Sequence, residues 1–194
     1  MGWHRAPCGR TGGNLDVARR LDATGLPLLG IVPQLAFERR DGDPGRFAEP
    51  GAFGAFLDEV LSRSESLVGR RSSAQTRLVL AAHSAGYAAL AAVLRAGAPP
   101  SLRAVALLDS LYGHEDVFAA YAARPGARLY VVAGRSTREE TDTLAEMLRA
   151  RVRFARNPSR ANLRARPMLV RSTLGHEDIA RIWLGPITTA ALAD

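Results

Sequence analysis

The stretch from Arg77 to Leu94 constrains this chain more than any other. Leu78 to Ala82 is a short apolar run with the character of a buried strand, and Ala88 to Leu94 is an alanine-rich segment that reads as a close-packed helix. Between them lies Ala82-His83-Ser84-Ala85-Gly86, a serine with small residues two places away on either side. A strand that turns this sharply into a helix lifts the central serine clear of the backbone. The flanking residues must be small because the two backbones nearly touch there. The layout is that of a nucleophile elbow, with Ala82 standing where glycine is usual. A serine between small residues is also common in ordinary loops. What gives this one weight is the strand before it and the helix after it.

The rest of the chain alternates strand and helix around that centre. Cys8 to Asn14 is a glycine-rich turn, and Leu15 to Leu21 has a helical pattern, but Met1 to Pro7 is too short and polar for a convincing strand before it. Leu26 to Pro33 is an apolar run with β-branched residues and is expected as a strand. Gln34 to Pro50 reads as loop, and Gly51 to Leu67 as an amphipathic helix with Phe53, Phe56, Leu57, Val60 and Leu61 on one side. Beyond the elbow, strands are expected at Leu102–Asp109, Ala127–Gly134 and Pro167–Arg171, with Arg151–Phe154 a weaker alternative to the last. Helices are expected at Glu115–Ala123, at Thr137–Arg149 and at Glu177–Leu184. Thr137 and Glu140 would cap the second of these as a capping box, and Gly185-Pro186 would stop the third. Short apolar strands separated by helices imply an α/β domain with a mostly parallel sheet and helices on both faces.

At 194 residues a single domain is expected, with 1–7 and 187–194 peripheral. No run of apolar residues is long enough for a transmembrane helix, and the N-terminus lacks the apolar core of a signal peptide, so a cytoplasmic protein is expected. One cysteine, Cys8, excludes an internal disulfide. The net charge of +7 arises from 26 basic residues, all of them arginine. Eight lie between Arg149 and Arg171, where they could hold an anion. Without a nucleic-acid motif, a solvated surface in an arginine-biased chain explains them as well, and no nucleic-acid partner is expected. Four scattered histidines and one cysteine suggest no metal-ligand set, and no cofactor is expected.

A parallel sheet presents its functional loops at the carboxyl ends of its strands. Three expected strand ends bring Ser84, Asp109 and His176 in that order along the chain. With the elbow, the Leu107-Leu108-Asp109 strand end and Leu174-Gly175-His176-Glu177-Asp178-Ile179, the sequence resembles the α/β-hydrolase superfamily over residues 8–184. Within it the chain is closest in character to a bacterial serine-hydrolase-like group. It would be a minimal form lacking the first strands, with a truncated N-terminus.

The resemblance implies a serine esterase or related acyl hydrolase acting on a small-molecule ester, thioester or amide. Ser84 would be the nucleophile, His176 its general base and Asp109 the acid that orients the imidazole. The oxyanion hole would draw on the backbone N–H of Ala85 and on that of Arg10, in a loop where Cys8 replaces the usual histidine. Alternatives stand beside these roles. His114 rivals His176 as base, and Glu139 or Asp142 rivals Asp109 as acid. His83 adjoins the nucleophile but is expected to point away. The loop at 35–50, with Phe37, Arg39, Arg40, Arg46 and Phe47, would border a shallow, open pocket. A non-catalytic binding protein of the same fold is the alternative function, and nucleic-acid binding through the arginines a third.

Overall fold

The computed structural model describes residues 15–35, 42–68 and 76–193. Among these, five strands form one sheet, all parallel, in the order β1-β2-β3-β5-β4. They are β1 (Leu78–His83), β2 (Leu102–Leu108), β3 (Arg128–Ala133), β4 (Val152–Phe154) and β5 (Met168–Arg171). The helices are α1 (Val17–Asp22), α2 (Ala52–Val68), α3 (Gly86–Gly97), α4 (Glu115–Ala122), α5 (Arg138–Met147) and α6 (His176–Leu192). No helix among the described residues is long and apolar enough to cross a membrane.

The central strands are apolar without alternation because both faces are covered. In β2, Ala104 through Leu108 are all buried, and their side chains divide between two cores. Val105 and Leu107 join Leu129, Val131 and Leu169 under α3, α4 and α5, against Leu90, Phe118 and Leu144. Ala104, Ala106 and Leu108 join Tyr130, Val132 and Val170 under α6, against Ile179, Trp183 and Ile187. Period-two alternation carries this division into β1, where Leu80 and Ala82 face the α3 side and Val79 the α6 side. His83 continues the α6-facing row.

Four expectations need correction. Leu26–Pro33 forms no strand: Pro27 and Pro33 lack ladder donors, Leu29 is 46% exposed and Val32 50% exposed. Val152–Phe154 and Met168–Arg171 are not alternatives, since both are strands and they pair in parallel. The last helix does not stop at Gly185-Pro186 but runs to Leu192. Residues 187–191 are consequently not peripheral, because Ile187, Thr188 and Ala191 are buried. Cys8–Asn14, with Arg10, and Phe37, Arg39 and Arg40 lie outside the described residues.

Candidate active site

β1 turns into α3 through Ser84, whose φ of 55° lies in the left-handed region that non-glycine residues rarely adopt. The small residues of the pentapeptide allow this: a Cβ on Gly86 would approach that of Ala82 to 3.4 Å. Two further contacts hold the turn. Ser110 Oγ donates to the Ser84 carbonyl at 2.7 Å. Gly42, with φ 66°, lies so close to Ala85 that a side chain there would collide with the Ala85 carbonyl oxygen. The 42–48 segment therefore sits on the elbow, and Phe47 packs on Phe53 and Phe56 with ring centroids 5.1 Å away in each case.

Asp109 follows β2, whose last residue Leu108 is in register with His83 of β1 and Val132 of β3. It too has a left-handed backbone, φ 45°, and is 2% exposed. Its carboxylate is well satisfied. Oδ1 accepts from Gly134 N–H at 2.8 Å and from Thr137 Oγ1 at 2.7 Å, and Oδ2 accepts from His176 Nδ1 at 2.7 Å. Burial pushes this carboxyl up, but the hydrogen bonds from His176, Thr137 and Gly134 outweigh it, so its pKa lies below the ordinary carboxylate value. Asp109 is thereby held ionised.

His176 reaches this carboxylate because α6 begins beyond β5 and lies back across β3, β2 and β1. With its Nδ1–H given to Asp109, its lone pair is on Nε2, the tautomer that general-base work requires. Among the described residues no hydrogen bond reaches Ser84 Oγ. Ala85 is the residue before α3 and follows Ser84 directly.

The rivals go elsewhere. His114 Nδ1 meets Arg95 at 3.2 Å in the residue before α4. Asp142 is paired with Arg171, and Glu139 is exposed in the first turn of α5. Of the carboxylates weighed as acid, Asp109 alone bonds His176.

Several residues at the site were missed in the sequence. Gly134 was read as the end of a strand, yet a Cβ on it would stand 2.5 Å from Asp109 Oδ2. Thr137 was read as a helix cap; it does precede α5, but its hydroxyl is spent on Asp109 and makes no cap. His83 was expected to point away from the chemistry. Instead its ring lies on that of His176, centroids 4.3 Å apart, and its Nε2 is 3.1 Å from the His176 carbonyl oxygen. Burial, then the neighbouring His176, lowers the His83 pKa below 6.5. The alternation of β1 was the available signal, since it places His83 on the α6 side. One donor atom from each of His83, His176 and Glu177 lies within 4.8 Å of the other two, a grouping that the scattered histidines did not foretell.

A cavity of about 940 Å³ lies apart from these residues, lined in part by Arg20, Arg128, Arg164, Arg166 and Arg181. It contains none of Ser84, Asp109 or His176, so its size does not make it the site of this chemistry. Most arginines of the 149–171 run are exposed, while Arg171 is tied to Asp142. Comparison of the chain with protein-family models, with curated proteins and with solved structures finds no match.

Proposed function

We propose that this chain is a minimal α/β-hydrolase that cleaves a small-molecule ester, thioester or amide through an acyl-enzyme on Ser84. One observation supports this above the rest: a serine in a left-handed strand-to-helix turn follows directly on His83, whose ring packs on that of His176, and His176 gives its Nδ1–H to a buried carboxylate at the neighbouring strand end. Ser84 Oγ attacks the acyl carbon while His176 Nε2 takes its proton. The carbonyl π electrons move onto oxygen, where the Ala85 N–H stabilises the charge. Collapse expels the leaving group, which takes the proton back from His176. Water, deprotonated by His176, then releases the acid and regenerates Ser84. Throughout, Asp109 holds the imidazole in one tautomer and stabilises its protonated form.

The test is covalent labelling with a fluorophosphonate. The folded native chain should be labelled and Ser84→Ala should not, with Asp109→Asn slowing ester turnover by about 10⁴-fold through loss of the tautomer. Absence of label on folded native protein would remove the proposal. A second reading, a binding protein of the same fold without turnover, is favoured by the lack of a hydrogen bond to Ser84 Oγ among the described residues. It predicts that absence.

A further inference from the structure

His83, His176 and Glu177 meet beside the elbow with one donor atom each inside 4.8 Å. We propose that they form a site for a divalent transition-metal ion, Zn²⁺ above all, and that its occupation switches the hydrolase off. The inhibitory half rests on the acyl-transfer reading of Ser84, whereas the binding half does not.

The hydrogen bonds leave both imidazoles in the form a metal needs. A carbonyl oxygen can only accept, so His83 Nε2 carries the proton it gives to the His176 carbonyl, and the lone pair is on Nδ1. That Nδ1 is shielded from solvent and meets no polar partner among the described residues. His176 gives its Nδ1–H to Asp109, which leaves Nε2 free. A histidine that donates one nitrogen to a carboxylate or carbonyl while offering the other is the arrangement that orients metal-ligating imidazoles and raises their basicity.

Distance and charge agree with this. Zinc holds nitrogen and oxygen ligands at about 2.0–2.2 Å, so tetrahedral ligand atoms sit roughly 3.3 Å from each other. Closing from at most 4.8 Å needs shifts of about 1.5 Å or less between ligand atoms, and one of the three ligands, Glu177, is an exposed side chain in the first turn of α6. Two neutral imidazoles and one carboxylate favour zinc, copper or nickel, whereas magnesium and calcium require oxygen ligands. Three protein ligands leave a fourth position for water.

A metal on His176 Nε2 occupies the lone pair that would accept the Ser84 proton. The bond from Nδ1–H to Asp109 survives, so the same carboxylate that prepares the base also strengthens it as a ligand. Metal binding and general-base work are therefore mutually exclusive on one atom.

Binding is tested on full-length Ser84→Ala, which cannot turn over, by equilibrium dialysis with Zn²⁺ and by visible absorption with Co²⁺. One equivalent should bind, Mg²⁺ should not compete, and His83→Ala and Glu177→Gln should each weaken binding by about tenfold or more. Inhibition is tested on the native chain with an activated ester. Zn²⁺ should stop hydrolysis, a chelator should restore it, and Glu177→Gln should shift half-inhibition upward by the same factor relative to its own metal-free rate. Binding that is absent, or indifferent to both substitutions, overturns the site. Binding that depends on both residues in a chain with no metal-free turnover upholds the site, and the hydrolase reading and its inhibition fall instead.

Discussion

An alanine at position 134 would place its Cβ 2.5 Å from Asp109 Oδ2 and 2.7 Å from Cγ. The backbone there has little room to yield, because Gly134 N–H is bonded to Asp109 Oδ1 and the adjoining Ala133 is fully buried at the end of β3. The carboxylate must turn, and His176 loses its anchor. Under the acyl transfer proposed for Ser84, Gly134→Ala is expected to lower kcat by roughly 10²-fold, as a misplacement of about 1 Å does, with KM little changed and the chain still folded. Ester turnover within twofold of native would contradict this cradle. The positions of Ser84, Asp109 and His176 beyond strand ends, and with them the Asp109–His176 bond, were legible in the sequence because each follows a strand-like run, and a parallel sheet gathers such ends. Gly134 and Thr137 were not. Their roles depend on which loop lies beside Asp109, and that follows from sheet order rather than from any local pattern. His83 lay between: alternation along β1 gives its side, but the partner it finds there is set by α6 returning across the sheet.

Element boundaries were misread wherever tertiary packing opposed a local signal. Pro186 offers no N–H to the Ile182 carbonyl, and its ring crowds the preceding turn, at a cost of about 3 kcal/mol in a helix interior. Yet α6 continues, because Ile179, Trp183, Ile187 and Ala191 recur at four-residue spacing straight through the proline and are all buried. That spacing was visible in the sequence and outweighs the stop signal. α1 supports the same region. The Arg20 guanidinium donates through Nε to the Leu15 carbonyl at 2.9 Å and through Nη1 to the Arg181 carbonyl, and Gly185 lets the Arg20 backbone come close. Arg20→Ala leaves two carbonyls without this donor, so a loss of about 1–3 kcal/mol is expected. In a chain of this size each kcal/mol corresponds to roughly 2–4 °C in Tm. A Tm equal to native would mean that α1 adds nothing to α6. At Leu26–Pro33 the balance runs the other way: the apolar residues Leu29 and Val32 stay largely exposed, no burial compensates for the prolines, and no strand forms.

For the molecule as a whole, the two groups that fix His176 also couple folding to pH. His83 has its pKa lowered by folding, first through burial and then through the charge of His176, against opposing contributions from its bond to the His176 backbone and from Glu177 and Asp109. A histidine harder to protonate when folded leaves the unfolded chain binding more protons just below 6.5. Stability from this source is complete above 6.5 and is lost as pH falls from there through the lowered folded value. Asp109 is also lowered, so its contribution is complete above the ordinary carboxylate value of 3.8 and is lost only in stronger acid. The Tm is therefore expected to fall in two stages on acidification, one beginning near neutrality and one below about pH 4. His83→Gln keeps a donor for the His176 carbonyl but cannot titrate, and should remove the His83 contribution to the upper stage while leaving the lower one in place. Thermal scans of both chains from pH 7.5 to 3 measure this directly. An unchanged slope between 7.5 and 5 in His83→Gln would show that the ring stacked on His176 is not the group that senses acid.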